Sequence, residues 1–166
     1  YHLVYSGRGT QMMDEDVTAE ESRRAMDIII RRTRDFEQRG LEKEILTVDN
    51  HCDGVYMYLK ALAEGDEQTA AQIKKYIAMN GGNRSGIAFG EVDPQGYVHP
   101  DQFTQHHTFG NVRERKFGDI WSDTSNPIMA GLKDRKPLLK GRCAKCRYLE
   151  NCNGNYSNND EIFCCK

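Results

Sequence analysis

Three cysteines near the end of the chain have the spacing of metal ligands. Cys143, Cys146 and Cys152 form a Cys-x2-Cys-x5-Cys pattern. A Cys-x2-Cys step lets two thiolates from one tight turn reach the same metal, and the Gly and Asn residues around Cys152 permit a turn that returns a third. We therefore predict a metal cluster bound by these thiolates. For the fourth ligand we favour Cys164, the alternatives being Cys165 or neither.

The distribution of the cysteines favours a metal site over disulfides. The chain has six cysteines in 166 residues, too few for a disulfide scaffold, and five of them fall in the last 24 residues. A structural zinc site would use the same thiolates, but such sites usually pair two Cys-x2-Cys steps. The five-residue gap before Cys152 therefore favours iron–sulfur, with zinc and then disulfides or free thiols as alternatives. Cys52 fits no ligand spacing, and we interpret it as a buried thiol.

Two polar loops contain candidate substrate-binding residues. Arg8 stands between two glycines and could pair bidentately with a carboxylate. His51 lies in a polar loop, where it could contact substrate or act as an acid or base near neutral pH. A plain surface arginine and a plain loop histidine are the alternatives.

The first part of the chain reads as a βαβ unit. Residues 2–5 and Glu44 to Val48 are apolar enough for strands, and the capping box Thr18-Ala-Glu-Glu21 begins a helix that Gly40 ends. Such units normally cross over right-handed to give parallel strands, with ligands beyond the carboxyl ends. Arg8 and His51 each follow one of these strands, so we expect their loops to line one site.

A strong helix breaker at residues 80–83 divides the chain in two. It follows two helical patterns and precedes a predicted hairpin with a turn at Asp93-Pro-Gln-Gly96. We therefore predict domains at residues 1–83 and 84–166. The predicted elements around this boundary are helices at residues 55–63 and 67–79, hairpin strands at 87–92 and 97–99, a return segment at 109–112, and short helices at 117–121 and 126–132.

Composition excludes some classes of partner. The chain is 38% hydrophobic and 29% charged with a net charge of -2, which is ordinary for a soluble globular protein and gives no global field for nucleic acid. No apolar run approaches the ~20 residues needed to span a bilayer. We expect a cytoplasmic protein that binds neither nucleic acid nor membrane. The basic stretch that includes Lys133, Arg135, Lys136 and Lys140 is interpreted as a solvated face, with binding of an anionic substrate or cluster as the alternative.

The order of several motifs resembles a known family. Residues 93–100 (Asp-Pro-Gln-Gly-Tyr-Val-His-Pro), Gly110-Asn-Val-Arg113, Asp119-Ile-Trp121 and the cysteine pattern resemble the C-terminal SPASM or twitch region of radical S-adenosylmethionine (SAM) enzymes. Further stretches resemble the NirJ type of that superfamily, which works on modified tetrapyrroles in haem d1 biosynthesis. These stretches are residues 2–9, 46–51, 99–103 and 129–137.

The resemblance implies a longer enzyme of which this chain is the C-terminal part. The implied fold is α/β: the last βα units of a partial (β/α) radical SAM barrel, followed by a small α+β SPASM/twitch iron–sulfur domain. The Cys-x3-Cys-x2-Cys loop that holds the SAM-binding [4Fe–4S] cluster does not occur in these residues. We therefore expect this part alone to be inactive, with its catalytic residues unknown.

The implied chemistry is radical modification of tetrapyrrole side chains. In the NirJ type, propionates of a didecarboxysirohaem are replaced by oxo groups after SAM cleavage. The implied cofactors are an auxiliary [4Fe–4S] cluster here, plus SAM and a second [4Fe–4S] cluster in the full-length enzyme. The implied partners are a tetrapyrrole and an electron donor such as ferredoxin or flavodoxin. Related haem-pathway decarboxylases, peptide-modifying SPASM enzymes and a non-catalytic zinc-binding module are the alternatives.

The chain departs from the family pattern around the hairpin. Many SPASM proteins place cysteines just before the hairpin and just after its proline, whereas this chain has no cysteine between Cys52 and Cys143. One auxiliary cluster is therefore expected. Asp101 and Gln102 stand where other members have a ligand cysteine, and we interpret them as substrate-facing polar groups. We do not assign a metal to His99, because histidine in such a hairpin more often contacts backbone or substrate.

Overall fold

The computed structural model describes Leu3, residues 7–47, residues 50–156 and residues 162–163. Most of the predicted first strand, and both candidates for the fourth cluster ligand, Cys164 and Cys165, lie outside the described residues. The loop that holds Arg8 is a 3-10 helix, Gly7–Gln11, and a second one follows at Met13–Glu15.

The first long helix, α1, is Ala19–Gln38, and it begins at the predicted capping box. The Thr18 hydroxyl accepts from the N–H of Glu21 at 3.2 Å, and the Glu21 carboxylate accepts from the N–H of Thr18 at 2.8 Å. These bonds satisfy two N–H groups that have no partner inside the helix. Gly40 follows the helix with a φ of +64°. The predicted start and end of α1 are therefore confirmed.

The next two helices form an antiparallel hairpin. They are α2, Cys52–Ala63, and α3, Glu67–Asn80, joined by a three-residue turn. Gly54 near the start of α2 packs against Ile77 near the end of α3, where a Cβ on the glycine would meet that side chain. Gly81 ends α3 in the left-handed conformation, with φ +72° and ψ 13°. Both predicted helices are confirmed, and α2 begins three residues earlier than predicted.

Polar contacts hold α1 against α2. Lys60 pairs with Asp27 at 2.8 Å and Arg34 pairs with Glu64 at 2.6 Å, while the hydroxyl of Tyr56 donates to Asp27 at 3.0 Å. The charged side chains in these pairs are 29% to 49% exposed. Pairs this exposed contribute about 0 to 1 kcal/mol each. These weak charged contacts add to the burial of Met26, an apolar side chain of α1 that is 2% exposed.

The predicted second strand does not form in the described residues. Residues 41–47 have no regular structure, and Leu46 is 71% exposed. A strand needs a neighbour to take up its N–H and C=O groups, and no described segment pairs with this one. The strand prediction is therefore wrong for residues 44–47, and the described fold is mixed α/β without a parallel sheet.

The second unit begins with the predicted hairpin. Strands β1, Glu91–Val92, and β2, Val98–His99, are antiparallel, with Glu91 opposite His99 and Val92 opposite Val98. In the turn, the N–H of Gly96 donates to the carbonyl of Asp93 at 2.9 Å, and Gly96 has a φ of +94°. The strands are shorter than predicted, because residues 86–88 form a turn between Ser85 and Phe89, which pair in an isolated bridge.

The chain then returns along the other edge of β2. The N–H of Val98 donates to the carbonyl of Gly110 at 2.9 Å, and the N–H of Phe109 donates to the carbonyl of Val98 at 3.0 Å. Helix α4, Phe117–Trp121, and helix α5, Pro127–Lys133, follow. The core of this unit consists of side chains with no measurable exposure: Val98, Ile120, Met129 and Leu132.

The last described elements are short. They are a 3-10 helix at Lys136–Leu138, α6 at Gly141–Ala144, α7 at Leu149–Cys152, and the antiparallel pair β3 at Asn155–Tyr156 and β4 at Ile162–Phe163. None of the helices in the part of the chain that the structure describes has the length and apolar character needed to cross a membrane.

The helix hairpin of α2 and α3 is hydrogen-bonded directly to the cysteine loop, the segment from Cys143 to Asn153. The N–H of Asn83 donates to the carbonyl of Cys152 at 2.8 Å, and the side-chain amide of Asn153 donates to the carbonyl of Asn83 at 2.7 Å. Gly82, with φ +69°, packs onto the same backbone, and a Cβ there would overlap the carbonyl group of Cys152. The approach is therefore close enough to require glycine at position 82.

We predict that Gly82→Ala destabilises the protein by about 3 kcal/mol, through left-handed strain and overlap with the cysteine loop. Gly81→Ala is the matched control, because Gly81 has a φ of +72° but no atom within 4 Å of a built Cβ. Its cost is about 1 kcal/mol from strain alone. Denaturant midpoints of both variants measure the difference, and equal destabilisation would contradict the close approach.

Candidate metal centre

Cys143 and Cys146 stand on one hydrogen-bonded turn. Cys143 lies in α6 and is 5% exposed, in a small apolar cluster with Leu139 and Leu149. The N–H of Cys146 donates to the carbonyl of Cys143 at 3.1 Å, and Cys146 is half-buried. The predicted tight turn between these two cysteines is therefore present.

Cys152 ends a short helix at a left-handed turn. It is the last residue of α7, and its N–H donates to the carbonyl of Tyr148 at 3.2 Å. Asn153 follows with a φ of 57° and Gly154 with a φ of 67°. Asn and Gly adopt this conformation more readily than other residues. The turn that the sequence predicted around Cys152 is present.

The described side chains do not gather into a complete metal site. Within the ranges that the structure describes, no three His, Cys, Asp or Glu side chains lie close enough together to bind one ion. Cys143, Cys146 and Cys152 share one compact loop without converging on a point, and Cys164 lies outside the described residues. The four-cysteine ligand set therefore stays a prediction.

A buried arginine lies between the hairpin and the cysteine loop. Arg135 is 2% exposed, and its guanidinium donates to the carbonyl of Ser85 and, at 3.3 Å, to the carbonyl of Gly154. Its Nε has no hydrogen-bond partner among the described residues. Burial lowers the pKa of Arg135 to about 10, and attraction from Asp101 and from the Cys152 thiolate opposes that shift. Arg135 therefore stays charged at neutral pH.

The structure corrects the interpretation of the basic stretch as a solvated face. Lys136 and Lys140 are exposed, as that interpretation requires, but Arg135 is buried. The error has a reason, since Arg135 continues the three-residue spacing of the buried side chains Met129 and Leu132. That three-residue spacing was the sequence signal for burial of Arg135, and the charged residues around it obscured the signal.

The donor set and its surroundings fit an anionic iron–sulfur cluster. Thiolates are the ligands of such clusters, and buried charges in proteins are normally paired. The Nε of Arg135 has no hydrogen-bond partner among the described residues, and the Cys152 thiolate attracts the guanidinium to which this atom belongs. When bound, the cluster would accept and release single electrons.

The four candidate substrate-binding residues differ in exposure. Arg8 is exposed, and His51 is half-buried at the N-cap position of α2. Gln102 is exposed, whereas Asp101 is 9% exposed and its Oδ1 accepts bonds of 2.8 to 2.9 Å from the next turn of chain. Asp101 thus shapes the loop that presents Gln102.

His99 contacts backbone, which is one of the two contacts that the sequence predicted for it. It is 3% exposed, with Nδ1 2.8 Å from the carbonyl of His107 and Nε2 3.2 Å from Oδ2 of Asp93. Although burial raises it, bonds from the N–H of Tyr97 and from His99 hold the pKa of Asp93 below its ordinary value. Both ring nitrogens of His99 face oxygen atoms, so the ring locks the hairpin and does not bind metal.

Comparison with known protein families shows which class of protein the chain resembles. Residues 89–147 match the SPASM family, described as an iron–sulfur cluster-binding domain. Residues 89–147 are therefore similar to a SPASM domain, and the predicted resemblance to radical SAM enzymes with such a domain is confirmed. The predicted cofactors, [4Fe–4S] clusters and S-adenosylmethionine, are those of this class.

Two curated relatives are similar to most of the chain. The chain is 55% identical over 159 residues to Fe-coproporphyrin III synthase of Methanosarcina barkeri, a match that covers 94% of the chain and 40% of that protein. It is 39% identical over 155 residues to pre-heme d1 synthase of Dinoroseobacter shibae, covering 93% of the chain and 38% of that protein. The chain thus spans less than half the length of either relative. No solved structure matches the chain.

We predict that replacing Cys143, Cys146 or Cys152 with serine removes most of the bound iron and sulfide, because each supplies a thiolate to the cluster. Anaerobic reconstitution should give about four iron and four sulfide per auxiliary site in the parent protein. Cys52→Ser is the control and should keep the full iron content. Full iron in the three loop variants, or one zinc and no sulfide in the parent, would contradict the assignment.

Serine variants of Cys164 and Cys165 identify the fourth ligand. We predict that Cys164→Ser lowers iron content and that Cys165→Ser does not, since the two residues are adjacent and at most one of them is expected to be a ligand. Iron and sulfide analysis on the two variants measures this directly. The reverse pattern would assign Cys165, and two unaffected variants would show that neither is a ligand.

Proposed function

We propose that the chain is the C-terminal part of a radical SAM enzyme that modifies the side chains of an iron tetrapyrrole. The observation that carries this is the identity of 55% to Fe-coproporphyrin III synthase along 94% of the chain. In this proposal Cys143, Cys146 and Cys152 bind an auxiliary [4Fe–4S] cluster, with Cys164 as the candidate fourth ligand. The SAM-binding cluster belongs to the part of the enzyme that these residues do not include.

The proposed division into domains follows the helix breaker. Residues 1–83 would complete the barrel of the enzyme, and residues 84–166 would form the SPASM/twitch domain. The left-handed glycines at 81 and 82 and the start of the family match at residue 89 support a boundary here. Without a Cys-x3-Cys-x2-Cys loop, the chain by itself would not cleave SAM.

The proposed product is Fe-coproporphyrin III, with pre-haem d1 as the second candidate. The identity of 55% to the synthase of the former, against 39% to the synthase of the latter, favours this order. Both relatives support an iron tetrapyrrole with several carboxylates as substrate. The replacement of propionates by oxo groups would follow only if the second candidate holds.

The proposed substrate contacts come from the polar loops. Arg8 has an exposed guanidinium suited to bidentate binding of a substrate carboxylate. Gln102 has an exposed amide that would also contact the substrate. His51 would contact the substrate or transfer a proton, and Asp101 would hold the loop of Gln102. An electron donor protein such as ferredoxin or flavodoxin would supply electrons. A cytoplasmic location is proposed with this, because a reducing compartment keeps cluster thiols available.

The product of the full-length protein tests the proposal. The anaerobically reconstituted enzyme is given SAM, a reductant and a didecarboxysirohaem, and the products are identified by mass spectrometry. We predict SAM-dependent formation of Fe-coproporphyrin III. Pre-haem d1 would instead establish the second candidate. Turnover of neither, together with tight binding of a peptide in place of the tetrapyrrole, would overturn the proposed substrate class.

The proposed role of Arg8 gives a separate prediction. Arg8→Ala should weaken binding of the tetrapyrrole about tenfold, because a charge-assisted bond to a carboxylate contributes about 1.5 kcal/mol. Arg24→Ala is the control, since Arg24 is also exposed but lies on α1. Absorbance titration of the full-length protein with the tetrapyrrole measures both. Equal affinities for the two variants would remove Arg8 from the site.

A further inference from the structure

We propose that Arg135 is the charge partner of the auxiliary cluster. Its guanidinium offsets negative charge beside Cys152, and its Nε–H donates to the Cys152 thiolate or to a cluster sulfide. The proposal rests on the cluster assigned above to Cys143, Cys146 and Cys152. It adds a residue that is not a ligand but sets how easily the cluster is reduced.

The burial of Arg135 calls for an anionic partner. The side chain is 2% exposed, yet no described carboxylate forms an ion pair with it. A buried charge without a counter-charge is strongly unfavourable, and removing guanidinium from water requires compensation at each donor. The carbonyls of Ser85 and Gly154 satisfy donors at the two terminal nitrogens. They leave the Nε–H without a hydrogen-bond partner among the described residues.

Asp101 does not fill this role. Its Oδ1 accepts three bonds from Phe103 and Thr104, so the carboxylate is held in its own turn. It attracts Arg135 electrostatically, as the Cys152 thiolate does, but neither makes a described hydrogen bond to the guanidinium. An anion held next to Cys152 would supply the missing counter-charge.

A thiolate-held iron–sulfur cluster has the required chemistry. It carries net negative charge, and its sulfur atoms accept hydrogen bonds. Positive charge and N–H donors near a cluster stabilise the more negative, reduced state, which raises the reduction potential. With Arg135 present, the auxiliary cluster is therefore easier to reduce than it would be beside a neutral residue.

The hydrogen bonds of Arg135 also join two segments of backbone, one of which lies close to Cys152 in the chain. Ser85 precedes the β1–β2 hairpin and Gly154 follows the cysteine loop, and Arg135 binds both backbones. A clamp of this kind would stabilise the fold whether or not a cluster is bound. The test must therefore separate charge stabilisation of the cluster from a clamp alone.

The experiment compares three variants of the full-length, anaerobically reconstituted protein. Arg135→Gln removes the charge, and Arg135→Lys keeps the charge but removes the Nε–H. Lys136→Gln is the control: it removes the same charge one residue away, from an exposed side chain paired with Glu150 at 2.6 Å. Redox titration followed by EPR gives the potential of the cluster whose signal does not change when SAM is added. Unfolding midpoints are measured with and without iron.

The expected result is a more negative auxiliary potential for Arg135→Gln, an intermediate one for Arg135→Lys and no shift for Lys136→Gln. The midpoint gained on binding the cluster should also fall in Arg135→Gln. Loss of the cluster from Arg135→Gln, with a normal midpoint in the iron-free state, supports the proposal as well. An unchanged potential, with midpoints lowered equally with and without iron, overturns it and leaves only a clamp.

Two further outcomes are decisive. If Arg135→Gln does not fold, the comparison rests on Arg135→Lys. An unchanged cluster potential in that variant overturns the Nε–H bond, and a more negative potential supports it. A parent protein that binds zinc, or that has no SAM-insensitive cluster signal, overturns the cluster assignment itself. That failure is visible before any variant is made, so it is distinct from failure of the Arg135 role.

Discussion

The hydrogen bond between the N–H of Asn83 and the carbonyl of Cys152 joins the two halves of the molecule. It requires the backbone after α3 to lie against the backbone at the end of α7, and Gly82 makes that approach possible. Asn153 returns a second bond to Asn83, so the turn beyond Cys152 is held from both sides. The place of Cys152, a predicted cluster ligand, is therefore fixed by the end of a helix hairpin about seventy residues earlier in the chain.

Local sequence signals predicted the elements whose causes are local. The capping box at Thr18, the left-handed glycine after α3 and the Pro-Gly turn of the hairpin each depend on a few neighbouring residues, and each is present. The spacing of Cys143 and Cys146 also predicted a turn that the structure contains. Signals of this kind are readable because short-range sterics and hydrogen bonds determine them.

The features that depend on distant partners were missed. The strand expected at Glu44 to Val48 needs a neighbouring strand, and none pairs with residues 44–47 in the described residues. Arg135 was read as exposed because its sequence neighbours are charged, whereas its burial comes from Ser85 and Gly154, far away along the chain. A backbone contact was predicted for His99, but the particular oxygen atoms that it faces, on Asp93 and His107, are likewise set by the folded hairpin. One sequence alone contains no record of such pairings.

Two kinds of contact hold this protein together, and they respond differently to dissolved salt. The unit around Val98 and Leu132 is held by buried apolar side chains, which dissolved salt does not weaken by screening. Helix α1 is held to α2 by exposed pairs such as Arg34 with Glu64, whose attraction falls within a Debye length of about 8 Å at physiological ionic strength. The ionic strength of the solution therefore acts on exposed pairs of this kind, including Lys136 with Glu150 in the second unit, and does not screen the contacts among buried apolar side chains. The contacts between α1 and α2 thus include a part that responds to ionic strength, whereas the buried apolar contacts around Val98 and Leu132 do not.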